Sequence, residues 1–415
     1  MNRHRLVLLA MCWPLCASAG QPLLSLDEAV QLALKQAPQV SARAASIEAA
    51  QFGAVSAGRL PDPELVTGVD NLPIDTVDRF SLSRDFMTMR KIGVMQSFPN
   101  PEKRRLRKDR ADQEIHIAEA ELVSTRFDTA RAVAEAWIDR AVAEQSLRSL
   151  RRLAPEIQLQ SAAARSALEG GRASTAEALA SQMTIERLAD RIRVNEQERE
   201  IKVAELSRWI GEDARRPLAD MPIDLDLGAP LSSFQTNIAE HAALAPLQAR
   251  LVAAQTEVML ARAEKRLDWS LELSYARRGR PFSDMTSLEF RVGLPIFPRN
   301  RQDPNIAQSI AALRAEEADR DAVLRMHLAE VNAFEARWRH GRERLQHYTT
   351  VLLPLARDRY RASLAAYRAG RADLRSVVDA LTEQTNLEID ELDLEGTVAR
   401  AWAYLHLLHT TREIQ

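Results

Sequence analysis

Three short motifs recur at one displacement. Phe98-Pro99 returns as Phe297-Pro298, Leu153-Ala154-Pro155 as Leu352-Leu353-Pro354, and Gly171-Arg172-Ala173 as Gly370-Arg371-Ala372, each 199 residues further on. A displacement that stays constant across all three anchors requires two segments of equal length with no net insertion. Equal lengths are what two copies need to stand side by side as staves of one wall. An internal repeat of this size decides architecture before any local argument does. At 415 residues the length alone suggests two or three ordinary domains. The repeat reduces them to one architecture of two related halves.

The ends of the halves follow from composition. Residues 1–19 read as a signal peptide: Arg3 and Arg5 precede the apolar stretch Leu6 to Leu15, and Ala17-Ser18-Ala19 offers a small-residue cleavage site. Both cysteines, Cys12 and Cys16, lie inside it, so the mature chain has neither a disulfide nor a thiolate metal site. The first repeat then spans 20–218, a linker 219–235, and the second repeat 236–415. A net charge of −2 with no basic stripe among aromatics argues against nucleic acid. No apolar run after the signal reaches the roughly 18–20 residues of a membrane-spanning helix, so any membrane attachment must come through strands.

Each half reads as helix, hairpin, long helix, long helix. In the first half the pattern predicts a helix over 25–57, a hairpin over 64–98 turning near Leu72-Pro73-Ile74-Asp75, and helices over about 102–169 and 174–210. The second half predicts a helix over 236–266 and the alternating stretches Trp269–Tyr275 and Leu288–Val292 around the turn Arg278-Gly279-Arg280-Pro281. Helices over 304–368 and 373–409 follow. Leu324, Val331, Trp338, Leu345 and Leu352 recur every seven residues, with Leu328 and Phe334 between them, which keeps one seam facing a neighbouring helix. At 1.5 Å per residue the 102–169 helix is about 100 Å long, so it must pack laterally on others.

Four strands per chain cannot close a barrel, and an open sheet leaves two edges unpaired. Unpaired backbone groups cost several kcal/mol each in lipid. Three copies would supply twelve strands. The expected fold class is therefore mainly α with a small β part: a trimeric α-barrel of long coiled helices plus a twelve-stranded transmembrane β-barrel.

With that architecture the chain resembles the TolC family of outer membrane efflux proteins. The resemblance is carried by the repeat, by Leu26-Asp27-Glu28-Ala29-Val30 with Ala33-Leu34, and by the strand exits Gln96-Ser97-Phe98-Pro99 and Gly293-Leu294-Pro295-Ile296-Phe297-Pro298-Arg299-Asn300-Arg301. It is carried also by the tips Glu169 to Ser174 and Tyr367 to Leu374, the latter followed by Val377-Val378-Asp379-Ala380. The strand exits are similar to those of the heavy-metal, CzcC/CusC-like branch. The resemblance implies a homotrimer in the outer membrane with a periplasmic extension. It implies partners: outer membrane lipid, a periplasmic adaptor protein and an inner-membrane pump of the resistance-nodulation-division type. The chain would be a passive duct, with no cofactor and no catalytic or metal site, exporting heavy-metal cations. The alternatives are a duct of the same family for drugs or organic compounds, and a different class, an exported coiled-coil scaffold without a pore. No Ser-His-Asp spacing, metal-ligand cluster or phosphate loop supports an enzyme.

The resemblance also assigns residues. Gly171 and Arg172, and Gly370 and Arg371, would form two adaptor-docking tips; glycine there also suits a plain helix C-cap. Asp379, Ser376, Asp373, Tyr367 and Glu177 would line the periplasmic gate, Asp379 from three copies forming a carboxylate ring. The bland reading of Asp373 is dipole compensation at a helix start, and that of Asp379 an ordinary surface carboxylate. Ser376 stands where the family often has a second acid, and Glu177 holds the equivalent place at the first tip. The pairs His406/His409 and His340/His347 are weak metal candidates without a third ligand. Met87 and Met89 are expected on one strand face, and Lys103 to Lys108 reads as a solvated basic helix face, with contact to anionic head groups as the alternative.

Overall fold

The computed structural model describes residues 22–75, 77–170, 174–221, 225–227, 241–280 and 282–414; the side chains of residues 160, 164, 167, 177, 178 and 410–414 are outside the description. The elements in chain order are α1 Leu26–Gln36, α2 Pro38–Ala57, β1 Glu64–Asp70, β2 Met89–Phe98, α3 Pro101–Glu169 and α4 Thr175–Ile210. The second half contains α5 Ala245–Ala263, β3 Trp269–Arg277, β4 Met285–Val292, α6 Gln302–His347, α7 Leu353–Arg368 and α8 Leu374–Ile414.

The helix expected over 25–57 is two helices. Pro38 removes an amide and fixes φ, so α1 ends at Gln36 and α2 starts with proline in its first turn. Ser25 caps α1 by accepting the Glu28 amide at 3.1 Å. In α3, Asn100 accepts from the Glu102 amide and Pro101 opens the helix, which then runs 69 residues through Pro155. The repeat mate, Pro354, behaves differently. The helix expected over 304–368 widens into one π-helical turn, Tyr348–Leu352, before α7 begins. The proline ring presses on the carbonyl four residues back, Thr350, and the wider turn relieves it. The Thr349 and Thr350 hydroxyls donate to the Leu345 and Gln346 carbonyls there. The helix expected over 236–266 is described from α5 onward, after a short 3₁₀ turn at Ala242–Leu244.

One antiparallel sheet holds all four strands in the order β1-β2-β3-β4. The helices next to it stand in the matching order: α2 packs on α3, α3 on α5 and α5 on α6. Each strand adjoins one helix along the chain, α2 before β1, β2 before α3, α5 before β3 and β4 before α6. The result is a wall four elements wide. Glu121 of α3 stitches its helical part, receiving Arg43 of α2 and Arg250 of α5, each at 2.6 Å.

Further along α3 the core closes. Trp137, Phe127, Ile138, Leu206, Val331 and Tyr404 are fully buried in one cluster with α1 and α8. The repeat reappears here as chemistry. The Trp137 indole N–H donates to the Leu24 carbonyl at 3.1 Å, and the Trp338 indole N–H to the Leu225 carbonyl at 2.9 Å. Donor and acceptor are both displaced by 201 residues, 338 from 137 and 225 from 24. Each tryptophan therefore clasps the segment that leads into its own half. The first clasp is reinforced by Arg140, which donates to the carbonyls of Ala214 and Arg216, and by backbone bonds from Leu24 to Pro217 and from Ala219 to Leu24. Close approach of α8 is permitted by glycine on both sides: a Cβ on Gly341 would meet Val398 at 2.4 Å, and one on Gly396 would meet Val142 at 2.6 Å. In the seven-residue seam, Val331 and Phe334 are buried and Trp338 is half-buried, but Leu328 faces outward. The intermediate position seven residues before Phe334 is His327, which is buried, and Leu328 stands one residue out of that phase.

Candidate functional site

The sheet has the polarity of its faces reversed relative to a water-soluble protein. Cross-strand register places Leu65, Val69, Ile92, Val94, Leu273, Tyr275, Leu288 and Phe290 on one face. That face is exposed, with Leu288 70% and Leu273 56% accessible. The opposite face carries Glu64, Asp70, Lys91, Glu272, Glu289 and Arg291, and it is the sheltered one, with Glu272 only 2% accessible. Glu272 is held between Lys91 at 3.1 Å and Arg291 at 2.7 Å, and Arg291 also reaches Glu289 at 2.6 Å. Gly93 lies so close to Ser274 that a Cβ would meet it at 2.6 Å. A glycine at a close approach of this kind lets the sheet curve toward its polar side. At the helix end of the apolar face, Phe98 stacks on Trp269 at 4.1 Å and Trp269 contacts Phe290 at 5.4 Å. An apolar exposed face, an aromatic row at its border and a polar sheltered face together match the pattern of a barrel wall.

The junction below the sheet corrects the reading of the basic run. Lys103 is buried, not solvated, and bridges Asp268 at 2.8 Å and Glu264 at 3.1 Å. The Asp268 carboxyl lies below the usual carboxylate range: burial pushes it up, but the bonds from Lys103 and the Asn100 amide outweigh that. Leu106 is buried too, so only part of the run meets solvent. Met87 and Met89 do not share a strand face. Met87 belongs to the loop, where its amide donates to Asp85 at 2.8 Å, and β2 begins at Met89. The connection from β1 to β2 is correspondingly longer than the turn expected at 72–75.

At the far end of the helices, Gly370 has φ +69°, the left-handed conformation that ends α7. Gly370→Val should therefore cost about 1 kcal/mol or more, read as a lowered midpoint in chemical denaturation; an unchanged midpoint would show that the turn relaxes freely. Asp373 caps α8, accepting the Ser376 amide at 2.9 Å, while the Ser376 hydroxyl donates back to the Asp373 carbonyl at 2.8 Å. Asp379 is exposed, 3.9 Å from Arg375. Val377, Ala380 and Leu381 face inward, leaving Ser376, Asp379 and Glu383 together on the other side. Tyr367 is half-buried and Arg371 exposed. Gly171 and Arg172 lie outside the described residues, as does the side chain of Glu177.

A buried polar group in the core had no sequence signal. His241 Nδ1 and His327 Nε2 are 2.9 Å apart, and the Tyr404 hydroxyl stands 3.5 Å from His327 Nδ1. Glu330 faces His327 from the same helix, and Arg131 of α3 pairs with Glu330 at 2.8 Å. Burial holds the His327 ring below the usual histidine range, against the upward pull of Glu330. Stability from the neutral ring is thus in place above about pH 6.5 and is lost as pH falls through the depressed value. His327→Gln should flatten the decline of the melting temperature on acidification to about pH 5. An identical decline in both proteins would place the acid sensitivity elsewhere.

Comparison with known proteins follows this geometry closely. Residues 234–409 match the family described as outer membrane efflux protein. The match lies within the second half of the chain. No curated relative matches it in sequence. Among solved structures it is similar to CusC (16% identity, TM-score 0.76, covering 92% of this chain and 91% of that one). It is similar also to the Campylobacter jejuni outer membrane channel CmeC (14%, TM-score 0.80, 93% and 85%). A third likeness is to the open state of the Neisseria gonorrhoeae channel MtrE (16%, TM-score 0.75, 92% and 88%). At these identities the likeness establishes the fold.

Proposed function

We propose that three copies of this chain close into one outer membrane duct, its β part in the bilayer and its helices forming a periplasmic tunnel. The observation that carries the reading is the wall with two free edges. β1 and α2 end it on one side, β4 and α6 on the other, and all eight residues of β4 are exposed. Joining β4 of one copy to β1 of the next removes every unpaired strand edge, as lipid demands. Channels of this family work as trimers with an adaptor and a pump of the resistance-nodulation-division type, which supports the same assembly. The tip at Gly370, with the one expected around Gly171, would meet the adaptor.

The cargo we propose is heavy-metal cations. It rests on the resemblance of the strand exits to the heavy-metal branch and on the polar side of α8, where Ser376, Asp379 and Glu383 line up. Three copies of Asp379 around an axis would repel one another and hold a cation between them. Asp379→Asn should then weaken block of single-channel current by divalent cations with trimer yield unchanged; identical block in both proteins would make Asp379 an ordinary surface carboxylate. The broader test is deletion of the gene. The reading expects lowered tolerance to divalent heavy metals, restored by the intact chain. Lost tolerance to organic compounds alone would reassign the cargo.

A further inference from the structure

We propose that the sheet rim away from the helices carries a site for the phosphate groups of a membrane lipid, built on Arg90 and Arg277; the proposal rests on the reading of the sheet as a lipid-facing wall. These two residues are direct register partners on β2 and β3. Both are exposed, and both continue the outward rows above Ile92–Tyr275 and Val94–Leu273. Like charges directly opposite in an antiparallel pair destabilise it unless something neutralises them. Neither guanidinium makes a hydrogen bond or ion pair of its own among the described residues. Asp284 is the nearby carboxylate; its oxygens accept from the Tyr275 hydroxyl and the Arg278 amide, and its single negative charge leaves the arginine pair with a net positive charge. β2 and β3 are the two inner strands of the wall, so joining protomers at β1 and β4 leaves the pair uncovered.

Depth fits the same occupant. Arg277 lies eight residues along β3 from the aromatic row at Trp269, about 27 Å of strand. With a strand tilt of about 35–45° the rise is about 19–22 Å, a few ångströms short of an apolar band about 25 Å tall, and a long arginine side chain bridges that gap by reaching to the head groups of the leaflet farther from the helices. Two guanidinium forks side by side match a phosphate, whose oxygens accept paired N–H bonds. Arg280, exposed in the turn beyond, adds to the positive potential. In a closed ring the site would occur once per copy.

The experiment uses the full mature chain reconstituted in nanodiscs or detergent. Native mass spectrometry would measure retention of diphosphorylated lipid A against its enzymatically dephosphorylated form. Wild type should retain the phosphorylated lipid at least about tenfold better, and R90Q/R277Q should lose about that factor with membrane insertion intact. The wild-type comparison needs no variant, so a variant that fails to assemble does not blunt the test. Equal retention of the two lipids, equal retention by the double variant, or full displacement by inorganic phosphate at matched concentration would each overturn the site while leaving the wall reading in place. Recovery of the chain in the aqueous fraction, with neither lipid bound, would overturn both.

Discussion

Leu273→Arg is expected to abolish membrane insertion. Leu273 sits in the middle of β3, between Val94 of β2 and Leu288 of β4, on the apolar exposed face. An arginine at mid-depth on a lipid-facing strand costs about 2–4 kcal/mol, and a three-fold assembly incurs that cost three times. Ser287→Arg is the matched control, one residue along β4 from Leu288 and therefore on the opposite, polar face. The fraction resistant to alkaline extraction from membranes checks this. The account expects near-complete loss for Leu273→Arg and near-wild-type insertion for Ser287→Arg. Equal insertion of the two would mean that the apolar face does not meet lipid.

The second large effect lies in the clasp of the first half. Trp137 has no accessible surface, and its indole N–H supplies the Leu24 carbonyl. Trp137→Ala should destabilise the chain by about 3–5 kcal/mol through lost burial and the cavity left behind. The orphaned Leu24 carbonyl adds a further penalty of about 1–3 kcal/mol unless water reaches it. Trp338→Ala removes the repeat-related bond to Leu225 from a half-buried position, so its loss should be clearly smaller. Denaturant unfolding of both variants in detergent decides the point. Equal losses would show that the two halves share the load evenly, contrary to the unequal burial of the two rings.

These two predictions mark where the sequence was legible. The repeat, the strand-bearing segments and the long helices follow from motif spacing and periodicity, and Pro38 alone could have shown the break between α1 and α2. The paired clasp also had a signal: Trp137 and Trp338 lie at nearly the displacement of the Phe-Pro motifs. The sheet's reversed polarity was only half legible. Trp269–Tyr275 alternates cleanly, but β1 is interrupted by Gly68, and which face is sheltered depends on curvature around Gly93. The Arg90–Arg277 pairing and the His241–His327 contact depend on register and helix packing between residues far apart in sequence, which local patterns do not encode. The π-helical turn was hidden for a different reason. Pro155 and Pro354 hold equivalent positions in the two halves, yet α3 carries its proline without widening. At the start of α8, spacing sufficed to place Ser376, Asp379 and Glu383 on one side of the helix, whereas the direction in which that side faces in an assembly is not a property of one chain.

The central claim is the closed ring. Electron cryo-microscopy of the mature chain extracted in detergent tests it most directly. The account predicts three copies about one axis, Met285–Val292 of each paired with Glu64–Asp70 of the next, the apolar face outward and Asp379 toward the axis. A stable detergent-free monomer, another copy number, or a sheet with its apolar face turned inward would contradict it.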